Sequence, residues 1–289
     1  MRRTRNAPVM LIRTRLPPIR CAACLGRAAV VAGASALAAL AAVAAPAHAQ
    51  APLVAGPRVI KVPILMYHRI DRITPRLPPI TQRLTVTPAD FAREMGWLRA
   101  HRYHALTEET LLAALERGAP LPTRPVMITF DDGYRDVLGK AAPTLKRLRL
   151  HATAFVITGR ISGSDSSFLT WPQLRQLERD GIEIGSHTVT HRELTRLSDA
   201  GALHELTASR AALEQYLHHP VPWLAYPAGA EDARVVGLAR RAGYRLALTT
   251  HSGATQNGSD PLELRRLEIL DSTGVAGLAA LLRSVGAGG

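Results

Sequence analysis

Residues 126–134 read VMITFDDGY, in which an apolar run passes directly into two adjacent acids, Asp131 and Asp132, and then into Gly133. Such a run of apolar and β-branched residues is typical of a buried strand. If the strand belongs to a parallel sheet, its carboxyl end lies where α/β folds build active sites. Adjacent carboxylates repel each other, so an arrangement that ionises both predicts a nearby cation. The alternative interpretation is an Asp-Gly turn that caps the next helix.

A second strand-like run, IEIG at residues 182–185, leads into SHTVTH at residues 186–191. His187 and His191 are four residues apart, so on a helical turn both imidazoles can face one metal ion. The alternative is a pair of polar loop histidines. Together with Asp131 and Asp132 the pattern indicates hydrolytic metal chemistry: two histidines and one carboxylate leave coordination positions open, and the second carboxylate can act as a base.

Strand-like and helix-like runs alternate along the chain, which predicts a parallel sheet with crossover helices. The predicted strands are Val59–Tyr67, Val126–Phe130, Ala152–Ile157, Ile182–Ser186, Trp223–Tyr226, Leu246–Thr250 and Leu264–Leu270. The predicted helices run from Thr87 to about Arg99 and over Glu108–Glu116, Arg135–Arg149, Trp171–Arg179, Asp199–Tyr216, Asp232–Arg241 and Gly274–Arg283. Gly181 and Gly243 occupy expected helix C-terminal positions, and residues 69–84 are expected to form a loop. The alternation fits either an open doubly wound sheet or a closed barrel.

The first 49 residues are predicted to be a secretory signal peptide. They carry seven arginines and no acid, followed by an apolar run from Ala28 to Ala45 and the small-x-small site Ala47-His48-Ala49. This pattern predicts cleavage after Ala49 and an exported protein, periplasmic or extracellular. The alternative is an uncleaved membrane anchor, and membrane contact is expected only in that case. Residues 50–58 are interpreted as a linker and residues 59–289 as the catalytic domain.

Composition narrows the function classes further. Hydrophobic residues make up 47% of the 289 residues, which excludes a mainly disordered chain. Both cysteines, Cys21 and Cys24, lie in the predicted signal segment, so a disulfide scaffold is excluded and a metal would need histidine and carboxylate ligands. The formal charge of +13 falls to +6 without the seven N-terminal arginines, which is no signal for nucleic acid.

From about Pro63 to Leu270 the chain resembles the polysaccharide deacetylases that share the NodB homology domain, carbohydrate esterase family 4. The strongest motifs are TFDDGY (129–134) and SHTVTH (186–191). Supporting matches are PILMYHRI (63–70), FLTWPQL (168–174), AYPAG (225–229) and RRLEI (265–269). The resemblance implies an α/β fold, a distorted (β/α) barrel of about seven parallel strands of the glycoside hydrolase/deacetylase type.

The resemblance also implies roles for individual residues. Asp132, His187 and His191 would hold a divalent metal, usually zinc, and Asp131 would be the general base on a metal-activated water. A backbone N–H near Ala228 would stabilise the tetrahedral oxyanion. Tyr134, Tyr226 and Ala228 are the expected substrate-binding positions.

Four departures from the family pattern put parts of the site in question. The family's Asp-x-x-Asp-Trp motif has no match around Leu246–Ser252. Ala225 stands where the family often has an arginine that orients the catalytic aspartate, and Arg266 is a candidate substitute partner for Asp131. Ala228 stands where an aromatic residue is usual. The late motif that supplies the general acid is missing, which leaves His68 and His251 as candidates.

We therefore expect an exported, metal-dependent deacetylase acting on an N-acetylhexosamine polymer such as peptidoglycan, poly-N-acetylglucosamine or a chitin-like chain. One alternative is a catalytically degenerate carbohydrate-binding protein of the same fold. Another is a hydrolase of a small cyclic amide, which export disfavours. The expected partner is a polysaccharide and not nucleic acid; the oligomeric state stays open.

Overall fold

The computed structural model describes residues 56–287. The predicted signal segment, its cleavage site and the two cysteines lie outside the described residues, as does most of the predicted linker. No helix within residues 56–287 combines the length and apolarity needed to span a membrane.

The described residues form short strands alternating with helices. The strands are β1 (Val59–Lys61), β2 (Ile64–Tyr67), β3 (Arg69–Ile70), β4 (Thr85–Val86), β5 (His104–Ala105), β6 (Pro125–Phe130), β7 (Ala152–Val156), β8 (Ile182–Ser186), β9 (Trp223–Ala225), β10 (Leu246–Ser252), β11 (Thr255–Asn257) and β12 (Leu264–Glu268). The helices are α1 (Pro79–Arg83), α2 (Pro88–Ala100), α3 (Glu108–Arg117), α4 (Ala142–Leu148), α5 (Trp171–Arg179), α6 (Asp199–Leu217), α7 (Ala233–Arg241) and α8 (Gly274–Ser284).

Seven parallel strands close into a barrel in the order β2, β6, β7, β8, β9, β10, β12 and back to β2. The predicted barrel is therefore confirmed, and the open sheet is excluded. Strand β5 pairs with β6 outside this ring. Both β2 and β7 are buried at every position, because one side of each strand faces the barrel interior and the other lies under helices. All seven strands deliver their carboxyl ends to the same rim.

Two predicted elements were wrong in detail. The run Val59–Tyr67 is not one strand, since Pro63 interrupts it and β1 leaves the ring to pair antiparallel with β11. The predicted helix Arg135–Arg149 begins instead as a π-helical turn over Val137–Ala141 and becomes α-helical only in α4. Pro143 lacks the N–H that a continuous α-helix would need, and a π-turn accommodates such a gap.

Helix and turn ends follow the expected chemistry. Thr87 caps α2 by accepting a hydrogen bond from the N–H of Asp90, with Pro88 at the first helical position. Gly181 and Gly243 adopt left-handed φ values of 87° and 86°, as their predicted positions require. The predicted loop at residues 69–84 contains β3 and the short α1.

A buried acid ties α2 to the barrel. Glu94 has no solvent exposure, and its Oε2 accepts a hydrogen bond of 2.9 Å from the Tyr67 hydroxyl. The Tyr67 ring packs edge-on against Phe91, with 5.3 Å between ring centroids. Within the described residues Oε1 of Glu94 has no hydrogen-bond partner. Burial accordingly raises the pKa of Glu94 to about 7.

This raised pKa predicts that folding stability depends on pH. Between the pKa of an unfolded glutamate, about 4.3, and about 7, the folded state binds more protons than the unfolded state. Stability contributed at this site is therefore lost as pH rises through that window. Urea unfolding of wild type and Glu94→Gln should be compared at pH 5 and pH 7.5. Between these two pH values the free energy of unfolding of wild type should fall by about 2 kcal/mol relative to that of the variant. A difference that stays constant with pH would contradict this assignment.

Candidate metal centre and active site

The carboxyl end of β6 carries the two aspartates. Asp131 follows the strand directly, and its N–H donates to the carbonyl of Tyr67 on neighbouring β2 at 2.9 Å. The next two residues, Asp132 and Gly133, have left-handed φ values of 74° and 80°. A side chain at Gly133 would bring a Cβ to 3.0 Å from Val156, so this turn requires glycine. The turn separates the environments of the two acids, because Asp131 is 2% exposed while Asp132 is only partly buried.

Asp132 meets two histidines from the carboxyl end of β8. Its Oδ1 lies 3.7 Å from Nε2 of His187 and 3.6 Å from Nε2 of His191, and the three ligand atoms all lie within 4.8 Å of one another. These separations suit atoms that each approach a shared cation at about 2.0–2.2 Å. Two imidazole nitrogens and one carboxylate oxygen are a donor set typical of zinc. The three sequence-predicted ligands are therefore brought together at one point.

The second ring nitrogen of His187 supports this arrangement. Its Nδ1 lies 2.7 Å from the carbonyl oxygen of Ala225 on β9. A carbonyl only accepts hydrogen bonds, so Nδ1 carries a proton and Nε2 is the ring nitrogen that can bind a metal beside Asp132. Metal-binding histidines in proteins are usually oriented in this way. Ala225, which stands in place of the expected arginine, thus contributes through its backbone.

The loop between the two histidines is fixed by Glu205 of α6. The Glu205 carboxylate accepts hydrogen bonds from the backbone N–H groups of Val189 at 2.9 Å and Thr190 at 2.8 Å. Within the loop, Thr188 and His191 both have left-handed φ values, 65° and 61°. Non-glycine residues adopt that conformation at an energetic cost, and it persists where the surroundings enforce it. Glu205 is a positioning residue that the sequence reasoning missed.

The second aspartate, Asp131, is held by a buried arginine. Arg266 Nη1 and Nη2 donate to the two carboxylate oxygens of Asp131 at 2.8 and 2.7 Å, and Arg266 Nε donates to the carbonyl of Thr249 at 2.7 Å. Both side chains of the pair are almost fully inaccessible, with 0% and 3% exposure for arginine and aspartate. Burial alone would raise the pKa of Asp131, but Arg266, with smaller contributions from the site histidines, holds it well below the usual range. The predicted substitution of Arg266 for the missing arginine is confirmed as a contact.

The two histidines considered for the general acid lie in different surroundings. His68 follows β2 and lies among the site residues, close enough for Asp131, Asp132 and His187 to act on its pKa, which burial lowers. Its Nδ1 is buried and has no hydrogen-bond partner within residues 56–287, while the residue as a whole is partly exposed. His251 has a side chain that is 58% exposed and lies 3.4 Å from Glu231, whose side chain is 7% exposed.

The three expected substrate-binding positions also differ. Tyr134 is half-buried at the rim, stacked on Phe168 with 4.8 Å between ring centroids, and burial raises its pKa to about 12. Ala228 is exposed and left-handed, with a φ of 55°. Tyr226 is completely buried among core residues. The expectation that Tyr226 contacts substrate was therefore wrong, because its ring packs into the core between α7 and the barrel.

This arrangement separates two carboxylate functions. Asp132 faces two histidine nitrogens and can share a cation with them, whereas Asp131 faces an arginine and stays ionised beside that cation site. A carboxylate that is ionised in the resting site and lies next to a Lewis-acid position can take a proton from water during hydrolysis.

Comparison with known proteins agrees with this chemistry. A family model described as polysaccharide deacetylase matches residues 118–247. This range includes Asp131, Asp132, His187 and His191. YxkH of Bacillus subtilis (strain 168), whose name places it among the polysaccharide deacetylases, is 32% identical over 219 residues, 76% of this chain and 74% of the relative. The poly-beta-1,6-N-acetyl-D-glucosamine N-deacetylase of Staphylococcus aureus (strain MSSA476) is 24% identical over 199 residues, 65% of this chain and 68% of the relative.

A solved structure shares the fold. The Streptococcus pyogenes deacetylase PplD, determined in complex with acetate, matches with a TM-score of 0.72 and 29% identity, covering 78% of this chain and 99% of that one. Barrel, site residues and relatives thus lead to the same assignment. The chain belongs to the polysaccharide deacetylase family of hydrolases.

Proposed function

We propose that the protein is an exported, metal-dependent deacetylase that hydrolyses the N-acetyl groups of an N-acetylhexosamine polymer. The observation that carries this proposal is the pairing of Asp131 with Arg266 beside the Asp132, His187 and His191 ligand set. The name of the S. aureus relative supports poly-N-acetylglucosamine as one substrate. Peptidoglycan and chitin-like chains share the same acetamido group.

Asp132, His187 and His191 would hold the metal, and zinc suits this ligand set best. A divalent cation bound there would supply Lewis acidity, polarising the amide carbonyl and lowering the pKa of a nearby water. The Nδ1–carbonyl contact of His187 fixes the ring in the orientation needed for this role.

Asp131 acts as the general base. Its carboxylate accepts the proton of the attacking water as the new C–O bond forms at the acetyl carbonyl carbon. Arg266 keeps this carboxylate ionised and holds its plane in one orientation through two parallel hydrogen bonds. The backbone N–H near Ala228 is our proposed donor to the developing oxyanion, since Ala228 is the exposed residue of the turn that follows β9.

We propose His68 rather than His251 as the general acid that protonates the leaving amine. His68 lies among Asp131, Asp132 and His187, whereas the described contact of the His251 side chain is with Glu231. A general acid must lie within hydrogen-bond reach of the leaving nitrogen, either directly or through one water.

The main alternative, a degenerate carbohydrate-binding protein, loses one of its three arguments. It draws support from the missing arginine beside the catalytic aspartate, the missing aromatic residue and the missing late histidine. Arg266 supplies the same kind of contact from β12. A chain that only bound sugar would have no use for a buried ion pair beside a three-ligand metal site, because such a pair costs desolvation energy.

Export is part of the proposal and is supported by the sequence alone. The basic segment, the apolar run and the small-x-small site at residues 47–49 are the pattern of a secretory signal. Contact with the membrane is proposed only if that segment is not removed.

Acetate release tests the proposed function. Protein lacking residues 1–49, supplied with zinc, should release acetate from oligomers of N-acetylglucosamine, from poly-N-acetylglucosamine or from peptidoglycan. Asp131→Asn should bind zinc normally but release acetate at least 100-fold more slowly, because the base is lost. His187→Ala should lose both zinc and turnover. Binding of the same polymers without any release, with zinc present at one equivalent, would contradict the proposal in favour of the carbohydrate-binding alternative.

The assignment of the general acid has its own test. We expect His68→Gln to lower kcat about 100-fold with zinc stoichiometry unchanged, since general acids typically contribute 10²–10⁴-fold. The matched substitution His251→Gln should change kcat less than threefold. The reverse pattern, with a large loss only in His251→Gln, would move the role to the His251–Glu231 pair.

A further inference from the structure

Two arginines and two aromatic rings form a stack next to the metal ligands. The rings of Tyr134 and Phe168 are stacked 4.8 Å apart, and their backbones form an isolated antiparallel bridge. The guanidinium of Arg69 lies 5.0 Å from the centroid of Tyr134, and that of Arg160 lies 4.7 Å from the centroid of Phe168. The stack therefore has a cation at each end and an aromatic pair in the middle.

Arg160 lies next to the histidine loop, the segment between His187 and His191. It ends a short 3₁₀ turn, Thr158–Arg160, that follows β7. The N–H of Thr158 donates to the carbonyl of Thr188 at 3.0 Å, and the N–H of Gly159 donates to that of Val189 at 2.9 Å. A Cβ at Gly159 would lie 2.5 Å from the Val189 oxygen, so the approach requires glycine. Arg160 is therefore attached to the loop that carries the metal ligands.

The two cations of the stack are not equivalent. Arg69 is 12% exposed and forms ion pairs with Asp136 and Asp71, so its charge is already matched. Arg160 is exposed, and within residues 56–287 its guanidinium forms no hydrogen bond or ion pair. The neighbouring acid, Asp165, instead accepts a hydrogen bond from the N–H of Ser167 at 2.9 Å.

An arginine that rests on an aromatic ring keeps its N–H groups available at the edge of the guanidinium plane. That edge matches the two oxygens of a carboxylate, and cation–π contact reduces the freedom lost on binding. The two backbone hydrogen bonds from Thr158 and Gly159 to the histidine loop place Arg160 on the side of the stack that adjoins this loop. A sugar ring lying on this side of the site would therefore meet an exposed guanidinium that rests on the Phe168 ring.

We propose that Arg160 binds a carboxylate carried by the polysaccharide next to the acetamido group being hydrolysed, and so makes the enzyme selective for anionic N-acetylhexosamine polymers. This inference rests on the proposed deacetylase function. Arg69 and the Tyr134–Phe168 pair hold the surface on which the sugar lies, while Arg160 supplies the specific contact.

Two substrates that differ only in the group at C6 provide the test. Chitopentaose is neutral, and its C6-oxidised derivative is the same chain with carboxylates in place of primary hydroxyls. At low salt we expect the full-length, zinc-loaded protein to show a kcat/KM at least fivefold higher on the oxidised chain. Arg160→Gln should lose this preference, because its kcat/KM should fall at least fivefold more on the oxidised chain than on the neutral chain. The preference should also shrink at high salt, since the contact is exposed.

Arg241→Gln is the matched control, because it removes the same charge from an exposed position at the end of α7. It should retain the wild-type preference. Equal kcat/KM values on the two chains in wild type, or equal losses on both chains in Arg160→Gln, would overturn the inference.

Calorimetric binding of both chains to the same proteins separates this inference from the proposed function. Tighter binding of the oxidised chain by wild type, lost in Arg160→Gln, would support the role of Arg160 even if no acetate were released. The absence of acetate release would overturn only the deacetylase assignment. Equal binding of both chains by wild type would count against Arg160 whatever the turnover.

Discussion

An ionised carboxylate buried inside a protein requires a buried cation, and the Arg266–Asp131 pair meets that requirement at the centre of this structure. Asp131 comes from the end of β6 and Arg266 from β12, and β2 lies between these strands in the ring. The pair therefore forms only when the barrel closes. Removing either partner would leave an uncompensated buried charge, which costs about 3–5 kcal/mol in typical proteins. The environment of Asp131 therefore depends on closure of the barrel.

Two adjacent aspartates acquire different roles because their surroundings differ. The left-handed turn at Asp132 and Gly133 separates the two side chains. Asp131 accepts hydrogen bonds from the Arg266 guanidinium, which also donates to the backbone of β10. Asp132 instead lies next to two imidazole nitrogens. The first environment favours the ionised form without a metal, and the second favours sharing a metal. The Asp-Asp-Gly turn at this strand end therefore lets two neighbouring acids enter different environments.

Much of this site could be predicted from the sequence, because its residues follow strongly apolar strands. Arg266 could be suggested because the family resemblance implies an arginine beside Asp131, and Ala225 stands at its usual position. Glu205 could not be found, since the sequence of α6 does not distinguish it from a solvent-exposed acid. Its role depends on the histidine loop that packs against it in the folded protein. Tyr226 was misassigned because position after a strand does not reveal on which side a ring packs. The interruption of the first strand at Pro63 and the π-turn before Pro143 both lie beside prolines, whose missing N–H is a constraint that the apolar periodicity does not carry.

The most direct test of this account is the turnover of Arg266→Lys, which keeps the buried charge but loses the two-pronged contact with Asp131. We expect a native circular dichroism spectrum and one equivalent of bound zinc, with kcat for acetate release at least tenfold below wild type. That result would show that the orientation of Asp131 by Arg266 is needed for hydrolysis. A kcat within twofold of wild type, with zinc bound, would contradict the central role of this pair.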